Sequence, residues 1–258
     1  SSNASLTFYF DSVRIVPRGR FNHSNIYSDT ADATVTALYS ASPELELSAS
    51  SGLQNMYPPI VARSGFKNSG VTLLPNDDLK AERDFISGVS LNYKRTAFSL
   101  LVSGFYDLVQ NRAVFQNVSL FESQFKNANK VGVLGLSLDA QAFLAESLVL
   151  RGSATLGKAW DMSTEHEMPY KPRLESLASL TWYPARKLGF SVIEQYVTKR
   201  FVNTTSTDTL NPIGQMTVRI DYELGAGVLW AKASNIFDAS GFENPGFPIL
   251  GRSLWAGY

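Results

Sequence analysis

The run Leu134-Gly-Leu-Ser-Leu-Asp-Ala-Gln141, the turn Ala145-Glu-Ser147 and the run Leu148-Val-Leu-Arg-Gly-Ser-Ala-Thr-Leu156 decide the fold. In the first arm Leu134, Leu136, Leu138 and Ala140 oppose Ser137, Asp139 and Gln141. In the second, Leu148, Leu150, Ala154 and Leu156 oppose Arg151, Ser153 and Thr155. Successive side chains of an extended chain point to opposite faces, so each arm has one apolar side and one polar side. Two such arms joined by a short turn read as an antiparallel hairpin.

The same two-residue period recurs in both directions. Upstream it sets Leu6, Phe8 and Phe10 against Thr7 and Tyr9, Val35, Ala37 and Tyr39 against Thr34 and Thr36, and Leu45, Leu47 and Ala49 against Glu46 and Ser48. Val89, Leu91 and Tyr93 follow, then Phe98, Leu100, Val102 and Tyr106. Downstream come Leu174, Ala178, Leu180 and Trp182, then Phe190, Val192 and Tyr196, then Val218, Ile220 and Tyr222 against Thr217, Arg219 and Asp221. With Gly227 to Ser234 and the terminal segment this predicts about twelve strands of roughly ten residues.

Connection lengths alternate. Short turns fall at Ala41-Ser-Pro43, Lys94-Arg95, Ala145-Glu-Ser147, Pro184 to Lys187 and Glu223-Leu-Gly225. Between them lie long polar loops: Arg18 to Thr30, Gly52 to Ala81, Val109 to Asn129, Asp161 to Arg173, Thr198 to Ile213 and Phe237 to Leu250. Short turns at one rim and long loops at the other are the plan of an outer-membrane barrel. A secreted sandwich gives no reason for the long loops to share one end. The expected class is all-β: an antiparallel up-and-down transmembrane β-barrel, read as one region over residues 1–258. An arginine facing lipid near the midplane costs ~2–4 kcal/mol. Arg151, Arg219, Asp139 and Asp221 are therefore expected inside, with the leucine, valine and aromatic rows outside. Tyr39, Tyr93, Tyr106, Trp182, Tyr183, Tyr222 and Trp230 suit interfacial girdles.

Composition agrees. Lys plus Arg and Asp plus Glu are both 23, so nothing favours a nucleic-acid partner. Cysteine is absent, which removes disulfides and thiolate metal sites. No apolar run reaches the ~18 residues of a membrane helix, and alternating barrel strands do not need one. Residues 1–4 read either as the remnant of an expression tag or as native sequence. At the other end Asn235-Ile-Phe-Asp238 suits a chain reversal, Gly241, Pro245, Gly246, Pro248 and Gly251 interrupt regular structure, and a final strand runs to Tyr258. That strand predicts a pairing partner in sequence beyond this chain.

No nucleophile, base and orienting group converge, so no catalytic, cofactor or metal site is expected. The two histidines, His23 and His166, lie in loops without metal-ligand spacing. Asp77, Asp78 and Glu82 read as a hydrated turn rather than a calcium loop. Arg18, Arg20, Arg63, Lys67, Arg112, Lys126, Lys199 and Arg200 lie in or beside the long loops. They either attract an anionic ferric chelate or face the lipopolysaccharide layer. The ligand-binding candidates among the outer loops are Tyr57, Arg63, Arg112, His166, Arg200 and Phe242.

Several segments occur in an order that carries a resemblance. They are Ser51-Gly-Leu-Gln-Asn-Met-Tyr-Pro58, Leu74-Pro-Asn-Asp-Asp-Leu-Lys-Ala-Glu82, Gly104-Phe-Tyr-Asp107, Asn127-Ala-Asn-Lys130 leading to Gly135, Pro169-Tyr-Lys-Pro-Arg173, and Asn235-Ile-Phe-Asp238 with Gly251-Arg252. Together they resemble the C-terminal part of a TonB-dependent outer-membrane receptor barrel. Ala81 stands where a proline is usual, and Ser137 where a glutamate is. The resemblance implies a barrel of about 22 strands, of which this chain is about half. It also implies an N-terminal plug domain and a TonB-type energising complex, neither recognisable here. The implied function is active uptake of a ferric siderophore, cobalamin or glycan by a monomer in the outer membrane of a Gram-negative bacterium, among lipid and lipopolysaccharide. The alternative is a self-standing smaller barrel acting as passive channel, outer-membrane enzyme or surface-binding protein. No histidine lies between Pro58 and Asn76, which disfavours a haem receptor.

Overall fold

The structure, a computed structural model, describes residues 2–68, 70–119, 121–244 and 246–258. Ser1, at the start of the suspected tag remnant, and Pro245, among the expected breakers, lie outside the described residues. In chain order the strands are β1 (Ser2–Ser5), β2 (Phe8–Phe10), β3 (Val13–Asn22), β4 (Thr30–Ser40) and β5 (Leu45–Met56). After helix α1 (Ile60–Ser64) come β6 (Phe66–Asn68), β7 (Val71–Leu74), β8 (Glu82–Lys94), β9 (Phe98–Asn117), β10 (Glu122–Ala145) and β11 (Leu148–Asp161). Then follow β12 (Leu174–Ala185), β13 (Leu188–Val197), β14 (Arg200–Phe201), β15 (Thr209–Leu210), β16 (Ile213–Leu224), β17 (Gly227–Ser234), β18 (Phe242–Asn244), β19 (Phe247–Pro248) and β20 (Ser253–Gly257).

One antiparallel sheet forms the wall in the order β1-β3-β4-β5-β8-β9-β10-β11-β12-β13-β16-β17-β20. Each long strand pairs with the next in the chain, the up-and-down plan that alternating rows and short turns dictate. The opening hairpin has the expected register, with Leu136 opposite Leu156, Leu138 opposite Ala154 and Gln141 opposite Arg151. β1 and β20 each have a single neighbour in this sheet.

The register sorts the two faces. Leu134, Leu136 and Leu138 share a face with Leu150, Leu180, Val192, Ile220 and Tyr222, all open to the surroundings. The opposite face holds the polar network. Arg14 pairs with Glu46 at 2.8 Å, Arg20 with Asp32 at 2.6 Å, and Arg219 with Asp221 at 2.6 Å. Arg151 donates from Nε to Gln141 Oε1 at 3.0 Å. Arg219 lies opposite Ser191 and Lys232, on the side away from Val218, Ile220 and Tyr222, as the alternation requires. The sorting is not complete. Lys158 lies opposite Leu134 on the apolar face, over the Trp160 ring. Glu194 lies opposite Ala178 and Met216 on the apolar face, in the row Phe190, Val192, Tyr196 that reads as purely apolar. It makes no ion pair among the described residues, and nothing in the structure explains it.

One expected loop is largely strand, and another begins later than expected. Val109 to Asn129, read as a loop, is the paired extension of β9 and β10. The two strands stay in register from Phe98 opposite Ala142 to Asn117 opposite Ser123. Cross-strand aromatic packing holds it, Phe115 meeting Phe125 edge-on with centroids 5.4 Å apart. A third strand, β7, joins it in parallel, Thr72 opposite Glu122. The loop Arg18 to Thr30 begins only after Asn22, so Arg18 and Arg20 belong to the wall.

The terminal stretch behaves as its residues require. Asn235 and Asp238 adopt φ of 50° and 55°, a left-handed region that Asn and Asp tolerate better than most residues. Asn235 is 2% exposed and bonds Ala239 and Leu250 at 2.8 Å and 3.0 Å. Asp238 Oδ1 accepts the Arg252 amide at 2.8 Å, fixing the entry to β20.

Candidate functional site

The long connections fold over one rim and build two recesses. The first lies between the loops 23–29 and 57–81. Within the shorter loop Ser24 Oγ accepts the amides of Ile26 and Tyr27, and Asp29 Oδ1 accepts that of Ser24. This presents Tyr27 to Tyr57. The rings stack with centroids 5.0 Å apart and planes 12° from parallel. Each hydroxyl then reaches the other loop: Tyr27 donates to Pro58 O and Tyr57 to Ser28 O, both at 2.9 Å. The Arg63 guanidinium sits over the Tyr27 ring at 5.4 Å, donates to Ile26 O at 2.6 Å, and pairs with Asp77 at 3.3 Å. Such a cation above an aromatic face is held by the ring quadrupole.

The rest of the longer loop is a small folded unit. Ala62, Leu73 and Leu79 are buried. Gly65 ends α1 at φ 68°, and a Cβ there would fall 2.5 Å from Leu73 O, so only glycine fits. Side chains staple the unit to the β9–β10 extension. Gln124 donates to Pro75 O and Asn76 to Phe125 O, each at 2.8 Å, and Asn127 Oδ1 accepts the Lys80 amide at 2.9 Å. The recess holds about 620 Å³ and is lined by Tyr27, Arg63, Asp77, Lys80, Arg83 and Asn111 among others.

Asp77, Asp78 and Glu82 do not converge. Asp77 pairs with Arg63, the Asp78 amide is turned onto Asn76 Oδ1, and Glu82 accepts the Ala113 amide. No group of three His, Cys, Asp or Glu suited to a metal occurs among the described residues.

The second recess lies under the last two loops. Arg200 on β14 is 7% exposed and donates from Nη2 to the carbonyls of Phe242 and Glu243, both at 2.8 Å. Its Nη1 is buried without a partner among the described residues. The recess holds about 390 Å³ against the polar ends of β12, β13 and β16. The neighbouring loop 162–173 is tied in through Ser206, whose hydroxyl accepts the Glu167 amide at 2.9 Å.

Six candidates therefore separate into two pairs and two singles. Tyr57 and Arg63 meet through Tyr27, and Arg200 meets the backbone of Phe242. Arg112 is on the β9 extension rather than in a loop, and His166 is held only by its backbone, which bonds Asp161 and Thr164. Neither lines the two recesses. Sequence reasoning missed Tyr27, although its loop was identified. It also missed the Glu175, Gln195 and Gln215 side of the second recess, where wall residues give no local signal.

Glu167 and Arg173 supply a pH-sensitive tie. The Arg173 guanidinium forks onto the Glu167 carboxylate, with Nε 3.2 Å from Oε2, and this bond is the main cause holding the carboxylate below its ordinary 4.5. The unfolded loop binds the proton first, so the tie is fully present above about 4.5 and is lost as pH falls through the lower folded value. Pepsin cleavage of residues 161–173, measured relative to Glu167→Gln at each pH, should rise as pH drops through the acidic window below about 4.5. An unchanged ratio across that window would discard the tie.

No family model matches the chain, and no curated protein matches it. Solved structures do. A mutant of the ferric enterobactin receptor PfeA of Pseudomonas aeruginosa, in complex with enterobactin, superposes at TM-score 0.80 and 16% identity, covering 98% of this chain and 44% of that one. The copper transporter OprC gives 0.81 and 17%, covering 98% and 46%. The siderophore receptor PirA from Acinetobacter baumannii gives 0.77 and 12%, covering 96% and 43%. The chain spans less than half the length of these receptors. Its fold is that of their barrel walls, the fold that the sequence resemblance implied.

Proposed function

We propose that this chain is part of the wall of an outer-membrane receptor that takes up a scarce metal, as a ferric siderophore or a similar chelate. The observation that carries the reading is the fold match, together with the rim on which the long loops cluster aromatic and cationic side chains. On this reading the apolar face meets lipid and lipopolysaccharide, and the polar face lines the lumen. A plug domain and a TonB-type complex, encoded outside this chain, provide the gate and the energy. The working unit is a monomer. The recess at Tyr27, Arg63 and Lys80 is the first contact: Arg63, held in place by the Tyr27–Tyr57 stack, and Lys80 attract the chelate's negative charge. The self-standing smaller barrel is the weaker reading, since β1 and β20 do not pair with each other.

A strain lacking the gene should fail to grow on a set of ferric siderophores supplied as sole iron source for at least one member of the set. The intact gene should restore growth. Arg63→Ala with Tyr57→Ala should lower uptake of that member by tenfold or more. Growth of the deletion strain on every siderophore, and on chelated copper, would reject the proposal.

A further inference from the structure

Arg200 is a buried cation without a counter-charge. None of the ion pairs among the described residues includes it, and both bonds from its Nη2 go to neutral carbonyls. A guanidinium taken from water needs a charge partner, and a buried donor left unmade is costly. Its Nη1 is such a donor.

The recess beside it contains the opposite charge, held apart. Glu175 and Glu243, both exposed, line the same space, and neither carboxylate forms an ion pair among the described residues. Gln195 and Gln215, directly opposite each other across β13 and β16 on the polar face, line the same recess. Both can donate and accept. Leu177 and Ile213 add apolar wall. The volume, about 390 Å³, is within the range of small-molecule sites.

We infer that this recess binds a small zwitterion of the amino-acid or short-peptide type. Its carboxylate faces the Arg200 guanidinium, its ammonium lies towards Glu175 and Glu243, and its amide bonds meet Gln195 and Gln215. A simple anion would satisfy Arg200 but face two carboxylates, and a simple cation would leave Arg200 unpaired. Only a ligand bearing both charges answers all three groups. The hairpin β18–β19 lies against Arg200 through the Phe242 and Glu243 carbonyls. The inference rests on the uptake reading only for which rim faces outward. Binding itself is measured without transport.

The test is calorimetric titration of the protein in detergent at about pH 6.5, where an α-amino group stays protonated and carboxylates are ionised. The probes are glycylglycine, N-acetylglycylglycine, which is only an anion, and glycylglycinamide, which is only a cation. Glycylglycine should bind at least tenfold more tightly than either analogue. Arg200→Gln should weaken glycylglycine and N-acetylglycylglycine tenfold or more and leave glycylglycinamide unchanged. Glu175→Gln with Glu243→Gln should do the reverse. Each variant thus retains one probe as proof of an intact fold. Should Arg200→Gln lose all three, Arg200→Lys decides: retained discrimination between the analogues supports the site, and its loss overturns it. N-acetylglycylglycine or glycylglycinamide matching the parent dipeptide, or no heat with any probe, also overturns it. None of these results touches the siderophore growth test, which depends on the other recess, so the two proposals fail separately.

Discussion

Leu136→Arg should destabilise the wall by ~2–4 kcal/mol in a bilayer, while Ser137→Arg, the adjacent residue, should change stability by no more than ~0.5 kcal/mol. Leu136 is 47% exposed on the apolar face, opposite Gly104 on one side and Leu156 on the other. Ser137, opposite Ser103 and Thr155, shares its face with Asp139 and Arg151. The two substitutions introduce the same charge at the same depth and differ only in the face they take. Urea unfolding in lipid vesicles measures both. Equal losses would show that the apolar face does not meet lipid. In detergent, whose acyl layer adapts to a local charge, the difference should shrink.

Gly52→Val should disrupt the wall by overpacking rather than by charge, costing about 1–3 kcal/mol. Gly52 pairs with Thr34 and Ile86, and a Cβ there would fall 2.5 Å from both Ala33 O and Thr34 Cγ2. Ala33 O is backbone and cannot swing aside, so β4 and β5 would have to part around it. The sheet would lose ladder bonds on the segment that leads into Tyr57. The measurable result is loss of the heat-resistant folded band on electrophoresis, or a lower urea midpoint. An unchanged midpoint would mean that the strands separate there at little cost. Thr34→Ala should relieve the Cγ2 contact but not the carbonyl contact, and so rescue only part of the loss.

The wall was legible because an apolar face and a polar face give its strands the same two-residue alternation. Leu134 to Leu156 shows it without ambiguity. The pattern becomes unreadable where both faces carry polar residues. Beyond Val109 the strands β9 and β10 carry Gln110, Asn111, Gln116, Gln124 and Asn127, a composition shared with loops. Pairing there rests on Phe115 against Phe125 and on the added strand β7, neither of which has a local signature. Glu194 was passed over for a related reason, since one carboxylate does not break a row defined by Phe190, Val192 and Tyr196. The candidate recesses were half legible. Tyr57 and Arg63 stood out as an aromatic and a cation in a long loop. Tyr27 and Glu243 take part through contacts between loops far apart in sequence. Arg200 was selected for its charge, but its partners are backbone carbonyls, which no residue pattern announces.

The stapled loop 57–81 has a thermodynamic consequence. A free loop of that length holds many conformations, and a ligand that ordered it would give up affinity to do so. Here the buried Ala62, Leu73 and Leu79, the parallel pairing of β7 with β10, and the Gln124, Asn76 and Asn127 bonds order the chain at folding. The ring stack and Arg63 therefore stand preorganised before any ligand arrives. Association at that recess should carry little conformational entropy change, and its heat should follow the contacts made rather than chain ordering.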